Sequence, residues 1–495
     1  MLTDKDNFEK LLKILDEILK ENKEMSVRAI AWLHFIRYHP VFNSQYQILF
    51  SAKYKFIFFL IMLYLKGIVN IILTLLKSIL VGYSYNYLHE RKNVDIFYVS
   101  HLINPNVDKK KDFYFDDIIS KLGDKGFSIA GLLINHLKTS LTDDIKKKVR
   151  GKNNYILNNH LDFKTEIKFA TMQIKVFLMF LFKLENNQLK RRINLLISGY
   201  SISRSTFLNI RLSSVFKNLI NFHNPKLVFI TYEGHAWERI LCNILKINFN
   251  KSKIIGYQHS YIFENQHAAL NSFDFNFDPH YILTSGEISK ERIIKSNIAK
   301  NIKVDILGSK RFGGTNDLKI QPSKKFSKRI FVIPEGIESE SKILFDFCLN
   351  YSSQCQDLEF VFKLHPQMSL DYFISKNPEY KKMPKNCHWF TNHSFKSSDW
   401  VLYRGSTFIV ELVKKGLQPI YLSHKRDYGS IDIFEGKFNH RKIISSTKDL
   451  DLLIKKESIG KLTNDKELNS LLDFSNKIYS PVNSSVLNKI IREVS

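Results

Sequence analysis

The sequence predicts an α/β protein in which two Rossmann-like parallel-sheet domains face a cleft, preceded by a helical extension. From residue 93 onward, short apolar segments alternate with helical patterns, which is typical of a parallel sheet covered on both faces. After a polar segment at 313–328 the same alternation starts again. We therefore expect an extension over 1–90, a first domain over 91–325 and a second over 326–495, and 495 residues suffice for two such cores.

The composition indicates a folded protein, because 44% of the residues are hydrophobic and only 11 are proline. Lys and Arg number 74 against 48 Asp and Glu, a formal charge of +26 that favours anionic partners. The Lys-, Asn- and Ile-rich composition of an AT-biased genome explains the charge equally well. Zinc-finger spacings and RNA-recognition signatures are missing from the sequence, so we expect no nucleic-acid partner.

The four cysteines form no CxxC pair, and residues 1–21 have a charged amphipathic pattern instead of a signal peptide. Both features predict a cytoplasmic protein.

The extension contains an unusual apolar segment from Phe56 to Val81. Lys55, Lys66 and Lys77 recur every eleven residues, so they fall on one face of a continuous helix. Such a helix lies in the plane of an anionic membrane surface, or is buried as a pair broken near Gly67 with its lysine tails reaching solvent, or spans the membrane. A second lysine-punctuated apolar helix starts at Ile167. We expect peripheral attachment to the inner face of the cytoplasmic membrane.

The strands are assigned in chain order. Seven precede the polar segment, in NVDIFYVSH, FSIAGLLIN, RINLLISGY, PKLVFITYEG, KSKIIGYQHS, HYILTSGE and IKVDILGS. Four follow it, in RIFVIPEG, LEFVFKLHP, DWVLYRGS and LQPIYLSH, and SSVLNKIIREVS predicts a final helix. Open parallel sheets bind ligands at the carboxyl ends of their strands, so the residues that follow these strands are the site candidates.

Glu233, Gly234 and His235 follow the strand LVFI. A carboxylate there is suited to act as a general base on an acceptor hydroxyl, and Gly234 permits a sharp turn. His235 assists or binds substrate; alternatively, the acidic residue only stabilises a helix N-terminus. Glu238 and Arg239 are expected to form an exposed pair on the next helix.

Gln258 and His259 end the next strand segment and are expected to line the same cleft. The alternative is a hydrogen-bonded loop histidine.

Lys363, His365 and Pro366 lie at the end of a strand of the second domain. The imidazole at this point is suited to bind a phosphate or a ribose hydroxyl, with Lys363 as a neighbouring charge on the same face.

Arg404, Gly405, Ser406 and Thr407 join the strand WVLY to a helix. Backbone N–H groups and the two hydroxyls predict a phosphate site there, or an ordinary helix cap. Glu411, one turn further, holds a ribose or lies on the surface.

The order of these motifs resembles the donor half of bacterial sialyltransferases and polysialyltransferases: His-Pro at a strand end, then Ser-Thr at a helix start some forty residues later. Kdo transferases and CDP-glycerol transferases are similar in outline. YEGHAWER and GYQHS resemble a group of surface-carbohydrate biosynthesis proteins. The resemblance covers about residues 190–425 and implies a GT-B glycosyltransferase fold.

The resemblance also implies roles. His365 and Pro366 contact CMP, Ser406 and Thr407 hold the donor phosphate, and Glu233 is the base. Tyr232 departs from the family pattern, which has an acidic residue at that place.

The activity implied is glycosyl transfer from a CMP-activated 2-keto acid sugar to a surface polysaccharide or lipid-linked glycan. No cofactor and no metal are expected, since Asp116–Asp117 and Asp143–Asp144 lie in unrelated helical contexts. The alternatives are a CDP-glycerol or CDP-ribitol phosphotransferase and a non-catalytic membrane-associated scaffold.

Overall fold

The computed structural model describes residues 4–37, 45–80, 93–103, 111–137, 143–150, 153–263, 265–313, 320–321, 328–366, 368–390, 395–396, 400–424, 430–434, 442–459 and 465–492. The chain divides into two compact units. Unit 1 comprises Met1–Thr284, Lys290–Ile306 and Asn483–Ser495, and unit 2 comprises Ser285–Ser289 and Leu307–Val482. Each unit contains a parallel sheet flanked by helices, which confirms the α/β class.

The sheet of unit 1 has seven parallel strands. They are β1 Ile96–Leu102, β2 Ile129–Asn135, β3 Asn154–Leu157, β4 Leu227–Thr231, β5 Lys253–Gln258, β6 Tyr281–Thr284 and β7 Lys303–Ile306. The order across the sheet is β3-β2-β1-β4-β5-β6-β7. Val99 of the first strand pairs with Leu132 and Ile230 on its two sides. These strands carry a buried core that includes Phe97 and Val228.

The sheet of unit 2 has six parallel strands. They are β9 Arg329–Ile333, β10 Glu359–Phe362, β11 Cys387–Trp389, β13 Trp400–Tyr403, β14 Gln418–Leu422 and β15 Lys442–Ile444. Their order is β11-β10-β9-β13-β14-β15, and Val332 pairs with Phe362 and Leu402. A separate pair joins β8 Ile320–Gln321 to β12 Phe395–Lys396. In both large sheets the first strand lies between the second and the fourth, the Rossmann order.

The described residues include nineteen α-helices. They are α1 Asp4–Glu21, α2 Lys23–Ala29, α3 Trp32–Phe35, α4 Gln45–Leu49, α5 Lys53–Leu80, α6 Ile118–Asp124, α7 Asp143–Arg150, α8 Phe163–Leu181, α9 Gln188–Ser201, α10 Arg204–His223, α11 Ala236–Asn248, α12 His267–Leu270, α13 Glu287–Ile294, α14 Glu338–Ser352, α15 Leu370–Lys376, α16 Phe408–Lys414, α17 Thr447–Ile459, α18 Asp465–Ile478 and α19 Ser484–Arg492.

The strand predicted in RINLLISGY is wrong, because this segment belongs to α9. Its apolar residues Ile193, Leu196 and Ile197 recur at three- and four-residue spacing and are buried. A short apolar run does not distinguish a buried strand from a buried helix. The seventh strand of the sheet is instead β3, which has only four residues and which the sequence did not reveal.

The division of the chain differs from the expected domain boundaries. Unit 2 begins its long segment at Leu307, and α19 belongs to unit 1. Leu487, Ile490 and Ile491 of this helix are buried, and Asn488 accepts a hydrogen bond from Lys125. Most of the predicted linker at 313–328 lies outside the described residues, as do residues 81–90 of the extension.

Helix α5 is continuous over 28 residues, so the alternative of a helical pair broken near Gly67 is wrong. By length and composition it is the one helix of the described chain that could cross a membrane. One face, with Phe56, Leu60, Ile71 and Thr74, is buried.

Candidate functional site

The strand order places the candidate residues at one point of each sheet. In a Rossmann-ordered sheet, ligands bind at the carboxyl ends of the strands where the order reverses, beside the first and fourth strands. That point lies between β1 and β4 in unit 1 and between β9 and β13 in unit 2. Two clusters of polar side chains occupy these points, and each is described within its own unit.

Gly234 shapes the turn that carries the predicted base. Its φ is +82°, which L side chains rarely adopt, and a Cβ atom at this position would lie 1.9 Å from the carbonyl oxygen of Ala268. Only glycine fits this turn. It places Glu233 and His235 on either side of the backbone kink, just after β4.

Glu238 and Arg239 are buried, so the prediction of an exposed pair is wrong. One carboxylate oxygen of Glu238 accepts hydrogen bonds of 2.8 Å from the backbone N–H groups of both Glu233 and His235. Arg239 donates to Asp278 at 2.7 Å and to the carbonyl of Ala268 at 2.7 Å. The buried side chains of Glu238 and Arg239 therefore hold the loop 233–235 in place through hydrogen bonds to backbone groups. Burial raises the pKa of Glu238 to about 7.

Glu233 is held by groups that stabilise its charged form. Ser260 donates to Oε1 at 2.6 Å, His235 Nε2 lies 3.3 Å from Oε2, and His259 Nε2 lies 3.9 Å from Oε1. Burial opposes ionisation, but the His235 hydrogen bond and the charges of both imidazoles outweigh it. The pKa of Glu233 is therefore well below its usual range. Conversely, although burial lowers the pKa of His235, its carboxylate neighbours raise it above the usual value.

Gln258, predicted to line the cleft, reaches Glu233 only through Ser260. It is buried at the end of β5 and donates to the carbonyl oxygen of Ser260. Because Ser260 donates to Glu233, Gln258 positions the loop that holds the carboxylate. His259, by contrast, lies beside Glu233, and its ring is 4.3 Å from the ring of Tyr114.

Two further histidines extend the cluster, and sequence reasoning missed them. His101 is the penultimate residue of β1 and its Nδ1 lies 2.7 Å from Nε2 of His136, just after β2. The rings of Tyr114 and Trp237 lie 5.1 and 5.3 Å from that of His101. Burial and the neighbouring His136 hold the pKa of His101 well below its usual value. The signal was available, since His101 ends a predicted strand.

Arg404, predicted to bind the donor, makes structural contacts within unit 2. Its side chain is fully buried, donates to Glu340 Oε2 at 2.8 Å and also donates to the carbonyl oxygen of Leu422 at 2.8 Å. These contacts hold the guanidinium inside unit 2, between Glu340 and the end of β14. Gly405, with φ of +67°, then allows the chain to reverse.

Arg311, which sequence reasoning missed, organises the residues that follow β13. It donates to Thr407 Oγ1 at 3.0 Å, to Glu411 Oε1 at 3.1 Å and to the hydroxyl of Tyr479 at 2.5 Å. Glu411 is thus buried and ion-paired, and is not a surface residue. Its other oxygen, Oε2, has no hydrogen-bond partner among the described residues.

Thr407 makes no side-chain capping bond, and α16 has only seven residues. The helix start is therefore a weaker phosphate site than predicted.

Lys363 lies near the start of α16, and His365 lies near the loop after β9. The Lys363 ammonium is 5.5 Å from the ring centroid of Phe408, the first residue of α16. The His365 ring packs against Gly336 after β9, where a Cβ atom would lie 3.0 Å from Nδ1. Burial, Arg311 and Lys363 lower the pKa of His365.

Lys363 makes no ion pair within the described part of the chain. Ser406 is buried and directly precedes Thr407. Pro366, predicted to contact the nucleotide, is exposed. The polar cluster of unit 2 is defined as the two cations Arg311 and Lys363 together with His365, whose lowered pKa favours the neutral imidazole.

Among the described residues, no group of three or more His, Cys, Asp or Glu side chains is arranged to hold a metal ion. Asp143 and Asp144 lie in the first turn of α7, and Asp117 is the residue before α6.

No protein-family model and no curated protein matches the chain. Solved structures with a similar fold include the calicheamicin glycosyltransferase, which is 8% identical with a TM-score of 0.46 and covers 81% of this chain and 98% of its own. A lipopolysaccharide outer core galactosyltransferase in its apo form is 10% identical, with a TM-score of 0.43 and coverages of 80% and 99%.

The UDP-GlcNAc 2-epimerase of Methanocaldococcus jannaschii, bound to UDP-GlcNAc and UDP, is 9% identical with a TM-score of 0.45 and coverages of 80% and 99%. These values are too low to assign the chain to the family of any of these proteins.

Proposed function

We propose that this chain is a glycosyltransferase of the GT-B type that uses a nucleotide-activated sugar. The observation that carries the proposal is a complementary pair of sites. Unit 2 has cations and hydroxyls at the reversal point of its sheet, and unit 1 has an ionised carboxylate at the equivalent point of its own. The first suits a nucleotide phosphate and the second suits an acceptor hydroxyl.

Unit 2 would bind the donor through Lys363, His365, Ser406 and Thr407. Lys363 supplies the charge that is available to a phosphate, because Arg311 is already paired with Glu411. Arg311 then acts by holding Thr407 in place. As the sugar leaves, negative charge develops on the phosphate, and fixed cations stabilise that charge most strongly in the transition state.

In unit 1, Glu233 would accept the proton of the acceptor hydroxyl as its oxygen attacks the anomeric carbon. The bond from that carbon to the donor phosphate oxygen breaks, and the nucleotide leaves with the bonding electrons. The low pKa of Glu233 makes it a weak base. We therefore expect the proton to move late, after attack has made the hydroxyl acidic.

For the donor we propose a CMP-activated 2-keto sugar acid, with a surface glycan or lipid-linked glycan as the acceptor. The support is the order of His365-Pro366 and Ser406-Thr407, together with their position at the ends of β10 and β13. A single phosphate matches a cluster with two cations, of which Arg311 is paired with Glu411 and Lys363 makes no ion pair among the described residues.

Nucleotide binding is the first test. Isothermal titration of CMP, CDP and UDP should show binding that is at least tenfold weaker in Lys363→Ala than in wild type. Lys376→Ala removes an exposed lysine of the same unit and should bind normally. Equal affinity of both variants would overturn the assignment of the site.

Activity is the second test. The protein is incubated with CMP-activated keto sugars, UDP-sugars and CDP-glycerol, and nucleotide release is measured. Release from CMP donors alone supports the full proposal. Release from UDP-sugars alone would support glycosyl transfer but show that the donor is a UDP-sugar. Release from CDP-glycerol alone would indicate a phosphotransferase. No turnover of any donor, with nucleotide binding intact, would favour a non-catalytic scaffold.

The role of Glu233 is tested by chemical rescue. Glu233→Ala should lose at least a hundredfold in rate, and added formate should restore part of it by supplying a carboxylate. The same treatment of Glu287→Ala, an exposed glutamate, should change nothing. Absence of rescue in a variant that still binds nucleotide would remove Glu233 from the mechanism.

A further inference from the structure

Helix α5 presents an apolar face to solvent along its whole length. Thirteen of its 28 residues are large hydrophobic side chains that are exposed. They include Phe58, Ile61, Leu65, Ile68, Ile72 and Ile79, which recur every three, four or seven residues and so form one stripe. Exposed apolar surface on this scale marks an interaction site.

The opposite face of α5 is fixed to unit 1. A Cβ atom on Gly67 would lie 2.5 Å from the Ile202 side chain, and one on Gly199 would lie 2.6 Å from Leu63. The backbones of α5 and α9 therefore approach closely. Tyr64 also donates to the Leu195 carbonyl oxygen at 3.0 Å. One face of α5 therefore packs against unit 1 from Phe56 to Ser78.

Helix α8 lies beside α5 and continues the apolar surface. The rings of Tyr64 and Phe177 are in edge contact at 5.0 Å, and Ile71 packs with Ala170. Phe163, Ile167, Ile174 and Leu178 are exposed on α8. Successive residues of an α-helix are rotated by about 100°, so these four side chains lie on the face of α8 next to the one that contacts α5. The two exposed stripes are therefore adjacent.

Lysines bound this surface on both sides. On α5, Lys55, Lys66 and Lys77 are exposed and lie roughly 180–200° around the helix from the α8-contacting Tyr64 and Leu75.

On α8, Lys164, Lys168 and Lys175 are exposed and lie roughly 140–180° from Phe177. Each row thus runs along the outer edge of its helix. The one carboxylate of the two helices, Glu166, is buried and paired with Arg211 at 2.6 Å.

We propose that α5 and α8 together form a docking surface for an anionic lipid bilayer, on which both helices lie in the membrane plane. The apolar strip two helices wide enters the acyl region, and the two lysine rows reach the phosphate groups on either side. The proposal does not depend on the proposed reaction.

An in-plane position fits the lysines better than a spanning one. Lys66 is thirteen residues from the first residue of α5 and fourteen from the last. A spanning helix would place its ammonium group near the centre of the hydrocarbon, which is costly. In the membrane plane the same group lies at the edge of the strip, at headgroup level.

The test is flotation of the full-length protein with vesicles of phosphatidylcholine containing 30% phosphatidylglycerol, about a third anionic lipid as suits a charged surface. Leu65→Asp combined with Ile72→Asp should weaken binding at least tenfold. Leu452→Asp, which changes an exposed leucine of unit 2, is the matched control and should bind as wild type does.

The lysine rows are tested separately. Lys66→Glu with Lys77→Glu, and Lys168→Glu with Lys175→Glu, should each weaken binding several-fold, and more strongly at low salt. The control pair is Lys217→Glu with Lys251→Glu, two exposed lysines elsewhere in unit 1. An effect of the α5 row alone would overturn the two-helix surface.

Two further outcomes would also overturn the proposal. A lipid-free dimer that Leu65→Asp dissociates, seen by analytical ultracentrifugation, would show that a second copy covers the strip. Lys55→Cys and Lys77→Cys, in a Cys355→Ser background and reconstituted with vesicles, should both react with a membrane-impermeant maleimide added on the protein side. Protection of one position alone would show that α5 spans the bilayer.

Discussion

Glu238 links the stability of unit 1 to pH. Its carboxyl is buried and its pKa is raised from 4.5 to about 7. A group whose pKa is raised by folding contributes stability that is fully present below its unfolded pKa and is lost as pH rises through the folded pKa. Wild type therefore loses up to about 3 kcal/mol through this residue between pH 4.5 and 8.

Glu238→Gln should keep the acceptor oxygen for the backbone of Glu233 and His235 but remove the titration. Relative to wild type, the variant should become more stable as pH rises from 5 to 8, measured by urea unfolding at each pH. A difference between the two proteins that does not vary with pH would contradict the raised pKa.

The pKa of Glu233 is shifted in the opposite direction to that of Glu238, and this shift affects the pH dependence of the reaction rate. Because its pKa is lowered, it stays ionised as pH falls, and the rate of transfer should show no loss from its protonation down to about pH 5. His235→Gln removes a hydrogen bond to the charged form, so the pKa of Glu233 should rise. The pH–rate profile of this variant should then fall at a higher pH than that of wild type.

Arg404 and Glu340 form a buried ion pair, and breaking it leaves one buried charge unpaired. Glu340→Met should therefore cost about 3–5 kcal/mol of unfolding free energy. Replacing both residues by methionine should recover most of that loss. The measurement is chemical denaturation, and the affinity for nucleotide should be unchanged in the folded double variant. A loss of affinity there would return Arg404 to the donor site.

Individual residues show where sequence reasoning succeeded and where it stopped. Glu233, His235 and His259 follow two neighbouring strands, and that placement alone predicted their proximity. Arg404 follows a strand in the same way, but its partner Glu340 is 64 residues away in the chain, so nothing local revealed the ion pair. Arg311 was missed because its partners Thr407 and Tyr479 are 96 and 168 residues away in the chain.

At the scale of elements, the close packing of α5 on α9 depends on two glycines. A Cβ atom on Gly67 would overlap Ile202 Cγ1 and Cδ1, both of which belong to a side chain that can be shortened. Gly67→Ala should cost about 1–3 kcal/mol in unfolding free energy. In an Ile202→Ala background the same change should cost much less, which a double-mutant cycle measures. Equal costs in both backgrounds would show that the helices do not meet here.

The elements themselves were mostly predictable, because ten of the eleven expected strands are present. The one wrongly assigned segment, RINLLISGY, is part of a buried helix, and its apolar run is too short for the helical spacing of Ile193, Leu196 and Ile197 to decide between helix and strand. The missed strands β3, β8, β11, β12 and β15 have two to four residues each, which is too short for an alternation to be visible.

At the scale of the whole molecule, unit 1 includes α19, which follows the long segment of unit 2 in the chain. Leu487→Ala with Ile490→Ala removes two buried side chains and should cost several kcal/mol of unfolding free energy. Hydrogen exchange should speed up around α6, whose neighbouring Lys125 contacts α19, and stay unchanged around β9. Faster exchange around β9 instead would place the helix in unit 2, as the sequence suggested.

Arg311 has a practical consequence for dissecting this protein. From the sequence, the polar segment at 313–328 is the natural place to divide the chain into two fragments. A C-terminal fragment that starts there begins just after Arg311. That fragment would keep Thr407, Glu411 and Tyr479 but lose the guanidinium that joins them, and would bury the Glu411 carboxylate without its counter-ion. A fragment meant to keep Arg311 with these partners should start at or before Leu307, where the long segment of unit 2 begins.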